Sequence, residues 1–207
     1  YYYNILKIEN KIYYCFCSNF SLLRLREKQL NLDMSPKYSG LCKNLSIIDI
    51  YKKLVDGLKP VLRLNVPSNR FLKFNDLLKG LQICNSSSIG DFVIRKSNLF
   101  PSFIFSNFID DYCMGITHVF RGEDHVTNTF KQILLQEVLG LPVINYGHMP
   151  MLNDLYGQVL SKREGSVSLK KLRKKGFFSL SIINYLCKIS KGFSLFLSFK
   201  DLLKYFT

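Results

Sequence analysis

The hydrophobic pattern is clearest between residues 114 and 151. An apolar run from Met114 to Phe120 predicts a strand, and Arg121-Gly122-Glu123-Asp124-His125 follows at its C-terminal end. Phe130, Ile133, Leu134 and Val138 then recur at helical spacing, which predicts a helix over 128–139. Thr127 or Asn128 is its expected cap, and Gly140 with Pro142 its stop. A second apolar strand is expected over 142–151. Strand, helix, strand is the unit of an open parallel α/β sheet, and such sheets bind ligands beyond the C-terminal strand ends. A loop carrying Ser161, Lys162 and Arg163 between Gly157 and Gly165 comes next. Two adjacent cations on a loop suit a polyanion whose charge shifts during reaction.

The flanks are less regular. Residues 1–16 are aromatic-rich and read as β-prone. Helices are expected over 21–30 and 46–55, the latter capped by Ser46 with Ile47, Ile50, Tyr51 and Leu54 facing inward. A strand over 61–66 places Leu62, Leu64 and Val66 on one face and Arg63 on the other. A strand pair is expected over 71–84 around Asp76 and Gly80, a polar loop over 85–90, and a strand over 91–95. The segment 103–108 is apolar with Asn107 inside it, where a buried amide with satisfied hydrogen bonds is the plainest role. Helices over 168–175, 179–189 and 201–206 complete the pattern, which is α/β with a helical end.

Composition narrows the class. With 47% hydrophobic and 21% charged residues, the 207-residue chain is globular rather than disordered. Its formal charge of +14 suits a polyanionic partner, most simply nucleic acid. The absence of Ala and Trp beside abundant Lys, Ile and Phe fits a base-biased genome equally well, so both readings stand. No apolar run reaches the roughly 18 residues of a membrane span. No secretory signal is seen, and the six cysteines read as reduced thiols or metal ligands, not a disulfide framework. Cys15, Cys17 and Cys42 form a C-x-C…C pattern, either a zinc site short of one ligand or three buried thiols. The chain starts Tyr1-Tyr2-Tyr3, and an internal piece of a longer protein is expected.

Motifs in order over about a hundred residues then carry a resemblance. They include Asp91-Phe92-Val93-Ile94-Arg95, Pro101-Ser102-Phe103, Gly115-Ile116-Thr117-His118-Val119, Arg121-Gly122-Glu123-Asp124-His125, Lys131-Gln132-Ile133-Leu134-Leu135, His148-Met149-Pro150 and Leu160-Ser161-Lys162-Arg163. With looser matches such as Val61-Leu62-Arg63-Leu64 upstream, the sequence resembles bacterial-type glutamyl-tRNA synthetases, which are class I aminoacyl-tRNA synthetases.

That resemblance implies a Rossmann-like nucleotide-binding fold with an insertion. Residues 1–100 would be the acceptor-stem-binding insertion with a candidate zinc site. Residues 101–145 would be the second half of the catalytic domain, and 146–207 the stem-contact region with the mobile ATP loop. The implied activity is that of a cytoplasmic, monomeric glutamate–tRNA ligase using ATP and Mg2+, with L-glutamate and tRNA(Glu) as partners and no membrane. Arg121, Asn107 and Phe103 would meet glutamate. Glu123, His125, Met151, Leu152 and Lys162 would meet ATP, and Lys162, Ser161 and Arg163 would act in catalysis. Alternatives are an enzyme that glutamylates queuosine in tRNA, or a noncatalytic tRNA-binding module. Departures feed the last reading: Phe103 stands for a usual Tyr, Val159 for a loop Lys, and Asn44 for a metal-site His. The family's first nucleotide motif, His-x-Gly-His, is also missing.

Overall fold

The computed structural model describes residues 1–153, 156–160, 168–191 and 198–204. In chain order the elements are α1 (Tyr2–Ile8), β1 (Ile12–Cys15), α2 (Asn19–Leu30), α3 (Ile47–Val55), β2 (Val61–Leu64), β3 (Phe71–Asp76), β4 (Gly80–Asn85) and α4 (Ser86–Ile89). They continue with β5 (Val93–Arg95), α5 (Phe103–Cys113), β6 (His118–Gly122), α6 (Val126–Leu139), β7 (Asn145–Met149), α7 (Leu169–Lys174), α8 (Ser179–Lys191) and α9 (Phe199–Lys204). The fold is mixed α/β. Tyr1–Pro150 and Met151–Thr207 are its two compact units. None of the described helices is long and apolar enough to cross a membrane.

Three small sheets build the first unit. β1, β2 and β5 form an antiparallel sheet in that order, β3 and β4 a hairpin, and β6 and β7 a parallel pair. Leu62, Leu64 and Val66 are buried on one face of the β2 segment, as their alternation predicts. They join Leu6, Phe92, Ile94, Phe105, Phe108, Leu134, Leu135 and Tyr146 in one core. α6 is buried on most of its circumference, so its apolar spacing covers only part of what packs.

Several expectations are corrected. Residues 2–8 are helical, not extended: Leu6 is wholly buried and the Tyr3 ring stacks on Phe105, so tertiary packing outweighs β-propensity there. The segment 103–113 is a helix whose start is fixed by Ser102, which accepts from the Phe105 N–H. The expected strand over 114–120 therefore begins later. Parallel pairing with β7 sets it at His118–Gly122, which puts Arg121 inside the strand, opposite His148. α6 starts at Val126 behind a 3₁₀ turn, Glu123–His125, so Thr127 and Asn128 lie within the helix and do not cap it. Its end is as expected, with Gly140 left-handed at φ 61°. The polar loop over 85–90 contains a short helix, because the Asn85 side chain accepts from the Ser87 N–H.

The largest miss is α3. Ser46 caps it as expected, but Ile47 is 86% exposed and Tyr51 67%, and no α3 residue is buried. Its apolar face has the right period, but Ile47, Tyr51 and Leu54 on it are all exposed.

Candidate active site

The site is built where β6, α5, α6 and the β3–β4 turn converge. β6 delivers Arg121, and α6 presents Thr129, Gln132 and Gln136 at i, i+3 and i+7, one face of a helix. All three are at most 2% exposed. Arg121 Nη2 donates to Thr129 Oγ1 at 2.5 Å and to Gln132 Oε1 at 2.6 Å. Its Nε donates to His148 Nε2 at 3.4 Å, and the guanidinium lies over the Tyr146 ring at 5.2 Å. Gln132 Nε2 donates in turn to Asn107 Oδ1 at 2.9 Å, which turns the amide oxygen toward Arg121. Asn107 is half-buried rather than buried, and it reaches Arg121 through Gln132.

No described carboxylate lies within ion-pair distance of Arg121. Asp110 and Asp124 make no ion pair with it. Burial lowers the Arg121 pKa, opposed by the more distant Tyr146, Asp111 and Asp124. Burial in turn pushes the Tyr146 phenol up to about 12, against the pull of Arg121. The result is a half-buried cation held by neutral oxygens and a ring. Such a cation is chemically able to receive an anion, since no described carboxylate closes a salt bridge on it.

Behind Arg121 lies a buried acid–imidazole pair. His148 is wholly buried, and its Nδ1 meets Asp76 Oδ2 at 2.5 Å. Asp76 Oδ1 accepts from the backbone N–H of Leu78 at 2.9 Å, Lys79 at 3.0 Å and His148 at 3.2 Å. Burial would raise the Asp76 pKa, but the His148 and backbone hydrogen bonds outweigh it and hold the carboxyl at about 2. Two neighbours of the site are more open. Phe103 is 59% exposed and its ring approaches His125 at 6.4 Å, while Lys79 pairs with Glu123. Phe103 and Asn107 are one turn apart on α5, which explains their common aim.

So five sequence-predicted residues, Arg121, Asn107, Phe103, Glu123 and His125, lie around one corner of the first unit. Met151 and Leu152 belong to the second unit, where the Leu160 N–H donates to Leu152 O at 2.8 Å. Ser161, Lys162 and Arg163 lie outside the described residues. Sequence reasoning missed Thr129, Gln132, His148 and Asp76 as members of the site. The polar stripe 129/132/136 inside an otherwise apolar helix was the available signal.

A second cluster forms where β1 runs toward α2. The Sγ atoms of Cys15, Cys17 and Cys42 all lie within 4.8 Å of one another. Cys17 and Cys42 are 3.6 Å apart, against about 3.8 Å for two thiolates on tetrahedral zinc with Zn–S near 2.3 Å. Tyr38 Oη lies 3.3 Å from both Cys15 and Cys17 and accepts from the Cys42 N–H at 3.1 Å. Asn44 is exposed. The donor set fits zinc, with Tyr38 rather than Asn44 offering the fourth atom. Burial raises the Cys17 thiol to about 11. It raises Cys15 too, but hydrogen bonds from Tyr38, Arg63 and the Cys17 backbone reverse this and leave Cys15 below its ordinary value.

Comparison with known proteins fits this geometry. The family model described as tRNA synthetases class I (E and Q), catalytic domain, matches residues 1–199. The chain belongs to this family. A protein named glutamate–tRNA ligase 2 from Nitrosococcus oceani is 46% identical over 184 residues, which is 89% of this chain and 39% of that one. A glutamate–tRNA ligase 2 from Coxiella burnetii is 43% identical over 188 residues, 91% of this chain and 40% of that one. This synthetase domain thus spans about two fifths of the length of those relatives. Among solved structures, the Elizabethkingia anophelis glutamate-tRNA synthetase superposes with a TM-score of 0.69 at 24% identity, over 85% of this chain and 36% of that one, a likeness of fold.

Proposed function

We propose that this synthetase domain serves a glutamate–tRNA ligase. L-glutamate would attack the α-phosphate of ATP, giving glutamyl-adenylate and pyrophosphate, and the glutamyl group would then pass to the terminal ribose of tRNA(Glu). The observation that carries the reading is Arg121, a half-buried guanidinium with neutral acceptors around it and no described carboxylate in ion-pair range. Its remaining donors, the two on Nη1, suit an oxygen of the side-chain carboxylate of glutamate. Asn107 and Phe103 would border that carboxylate, and Glu123 and His125 the junction with the nucleotide.

ATP with Mg2+ would be bound with help from Met151 and Leu152. Lys162, flanked by Ser161 and Arg163, would stabilise charge building on the phosphates. Residues 1–100 would hold the tRNA acceptor end, 101–145 would complete the nucleotide-binding half, and 146–207 would follow the stem. Zinc, held by Cys15, Cys17 and Cys42 with Tyr38, would brace the first of these regions. The cytoplasm is the proposed compartment, and a monomer the proposed state.

Arg121→Lys tests the reading. An ammonium cannot hold Thr129, Gln132 and His148 and still present a donor in the same plane, so glutamate affinity should fall roughly 10- to 100-fold, the worth of one hydrogen bond to a charged group. Unchanged glutamate affinity in titration of this variant would remove Arg121 from the site.

A further inference from the structure

The turn between β3 and β4 reaches the arginine site through three of four consecutive residues. Asp76 binds both the ring and the backbone of His148, the Leu77 N–H donates to Tyr146 O at 2.9 Å, and Lys79 pairs with Glu123. β3 also packs its Phe74 ring edge-on to Tyr146 and His148 at 6.3 and 6.0 Å, but the pairing of β3 with β4 does not use the polar contacts of the turn.

Hydrogen-bond directions can be followed through the turn to Arg121. Asp76 Oδ1 is taken by three backbone N–H groups, which leaves Oδ2 for the imidazole. A carboxylate only accepts, so the shared proton sits on His148 Nδ1. His148 Nε2 then keeps its lone pair. Two donors converge on it: Thr129 Oγ1 at 2.8 Å and Arg121 Nε at 3.4 Å. Thr129 accepts from Arg121 Nη2, and its own proton has two acceptors in reach, His148 Nε2 at 2.8 Å and the His125 carbonyl oxygen at 3.4 Å; the shorter contact takes it to the ring. Arg121 is thereby held along one edge, and Nη1 has no partner among the described residues.

We infer that Asp76 is a positioning residue for Arg121: by fixing the tautomer of His148 it orients the guanidinium toward its anionic substrate. The substrate's being glutamate rests on the function proposed above; the orienting role does not. Asp76→Asn is nearly isosteric and reverses the logic. Its amide oxygen would keep the three backbone N–H groups, and its NH₂ would face Nδ1. The imidazole would then carry its proton on Nε2, aimed at the Arg121 Nε–H, and two donors would oppose each other.

The experiment is long-range proton–nitrogen NMR on the full chain, which has three histidines, His118, His125 and His148, to assign. His148 is expected with its proton on Nδ1 in the wild type and on Nε2 in Asp76→Asn, with the Arg121 Nε resonance displaced. Asp76→Glu, which keeps the carboxylate, should retain the wild-type tautomer. Glutamate titrations of the same samples should weaken roughly 10- to 100-fold in Asp76→Asn, while an adenosine nucleotide titration stays within about twofold.

A wild-type His148 protonated on Nε2 overturns the inference without any variant having to fold. So does a folded Asp76→Asn whose His148 and Arg121 resonances match the wild type, or one that switches tautomer and binds glutamate as before. If the wild type binds no glutamate, the functional reading falls, and the tautomer and Arg121 resonances still decide the inference.

Discussion

The arginine site and the cysteine cluster invert each other's electrostatics. Around Arg121, a cation is surrounded by neutral acceptors whose own partners are protein groups: Gln132 on Asn107, Thr129 on His148, His148 on Asp76. Around Tyr38, three thiols surround an oxygen, and the Arg63 guanidinium lies over the ring at 3.8 Å. The first site stands on three strands and two helices, the second largely on the irregular chain joining β1, α2 and α3. A polar site on regular elements is preorganised by the fold that buries it. A cluster on loops depends on whatever binds it for its order.

The largest effect should come from attacking the weaker scaffold. Removing one thiolate, as in Cys42→Ser, or stripping metal with a strong chelator, is expected to open residues 15–44. Structural zinc commonly contributes on the order of 10 kcal/mol in small domains. Hydrogen exchange should rise across α2 and the Tyr38 segment and stay unchanged in α6 and β7. Uniform loosening of both regions would mean that the cluster braces the whole unit, and the contrast would be lost. Protein purified without chelator and carrying no metal would leave the cysteines as packed thiols, the other reading of the spacing.

The converse attack is Gln132→Leu. It is close in volume, but it removes the acceptor of a charged donor and the partner of Asn107 at once. A loss of about 2–3 kcal/mol in urea unfolding is expected, together with weaker glutamate binding. An unchanged midpoint would mean that water replaces the amide at no cost and that the network is looser than its distances imply.

The two sites were not equally legible in the sequence. Arg121, Asn107, Glu123 and His125 were proposed by motif, and the cysteines by spacing. What supports them was not. Asp76 and His148 are 72 positions apart, and no local pattern joins them. Thr129 and Gln132 interrupt an apolar helix, and periodicity counted around them. The strand–helix–strand frame over β6, α6 and β7 was visible because its apolar runs are long. α1 was misread because aromatic residues favour strands until a core recruits them, and α5 was given no element because a short apolar run has no unique period. The inward face assigned to α3 rested on period alone, which says that residues share a face and nothing about what covers it.

Acid separates the sites further. The Asp76 carboxyl sits at about 2 when folded, against about 3.9 for a free aspartate. A depressed carboxylate contributes stability that is complete above its unfolded value and is lost as pH falls through the folded one. The arginine site should therefore be constant above about pH 5 and weaken between pH 4 and 2. Unfolding followed against pH should lose that slope in Asp76→Asn. A wild type already flat from pH 5 to 2 would mean that the His148 hydrogen bond does not favour the charged form. Zinc release should come first, since thiolates compete with protons for the metal at milder acidity.

The smallest effect concerns the helix that neither site uses. Ser46 Oγ accepts from the Asp49 N–H at 3.1 Å and donates to the Asp49 carboxylate at 2.6 Å. An acidic residue in the first turn also complements the helix dipole. With no buried residue on α3, this capping does much of what packing does for α6. Ser46→Ala is expected to cost about 1 kcal/mol. Its distribution matters more than its size. On a helix held by packing the cost would be spread through the global transition. On α3 it should appear as faster hydrogen exchange in residues 47–55 alone, with the urea midpoint nearly unmoved. A matching shift in global stability would show that the face of Ile47, Tyr51 and Leu54 is covered in solution, and the contrast between a helix fixed by its core and one fixed by its cap would fail.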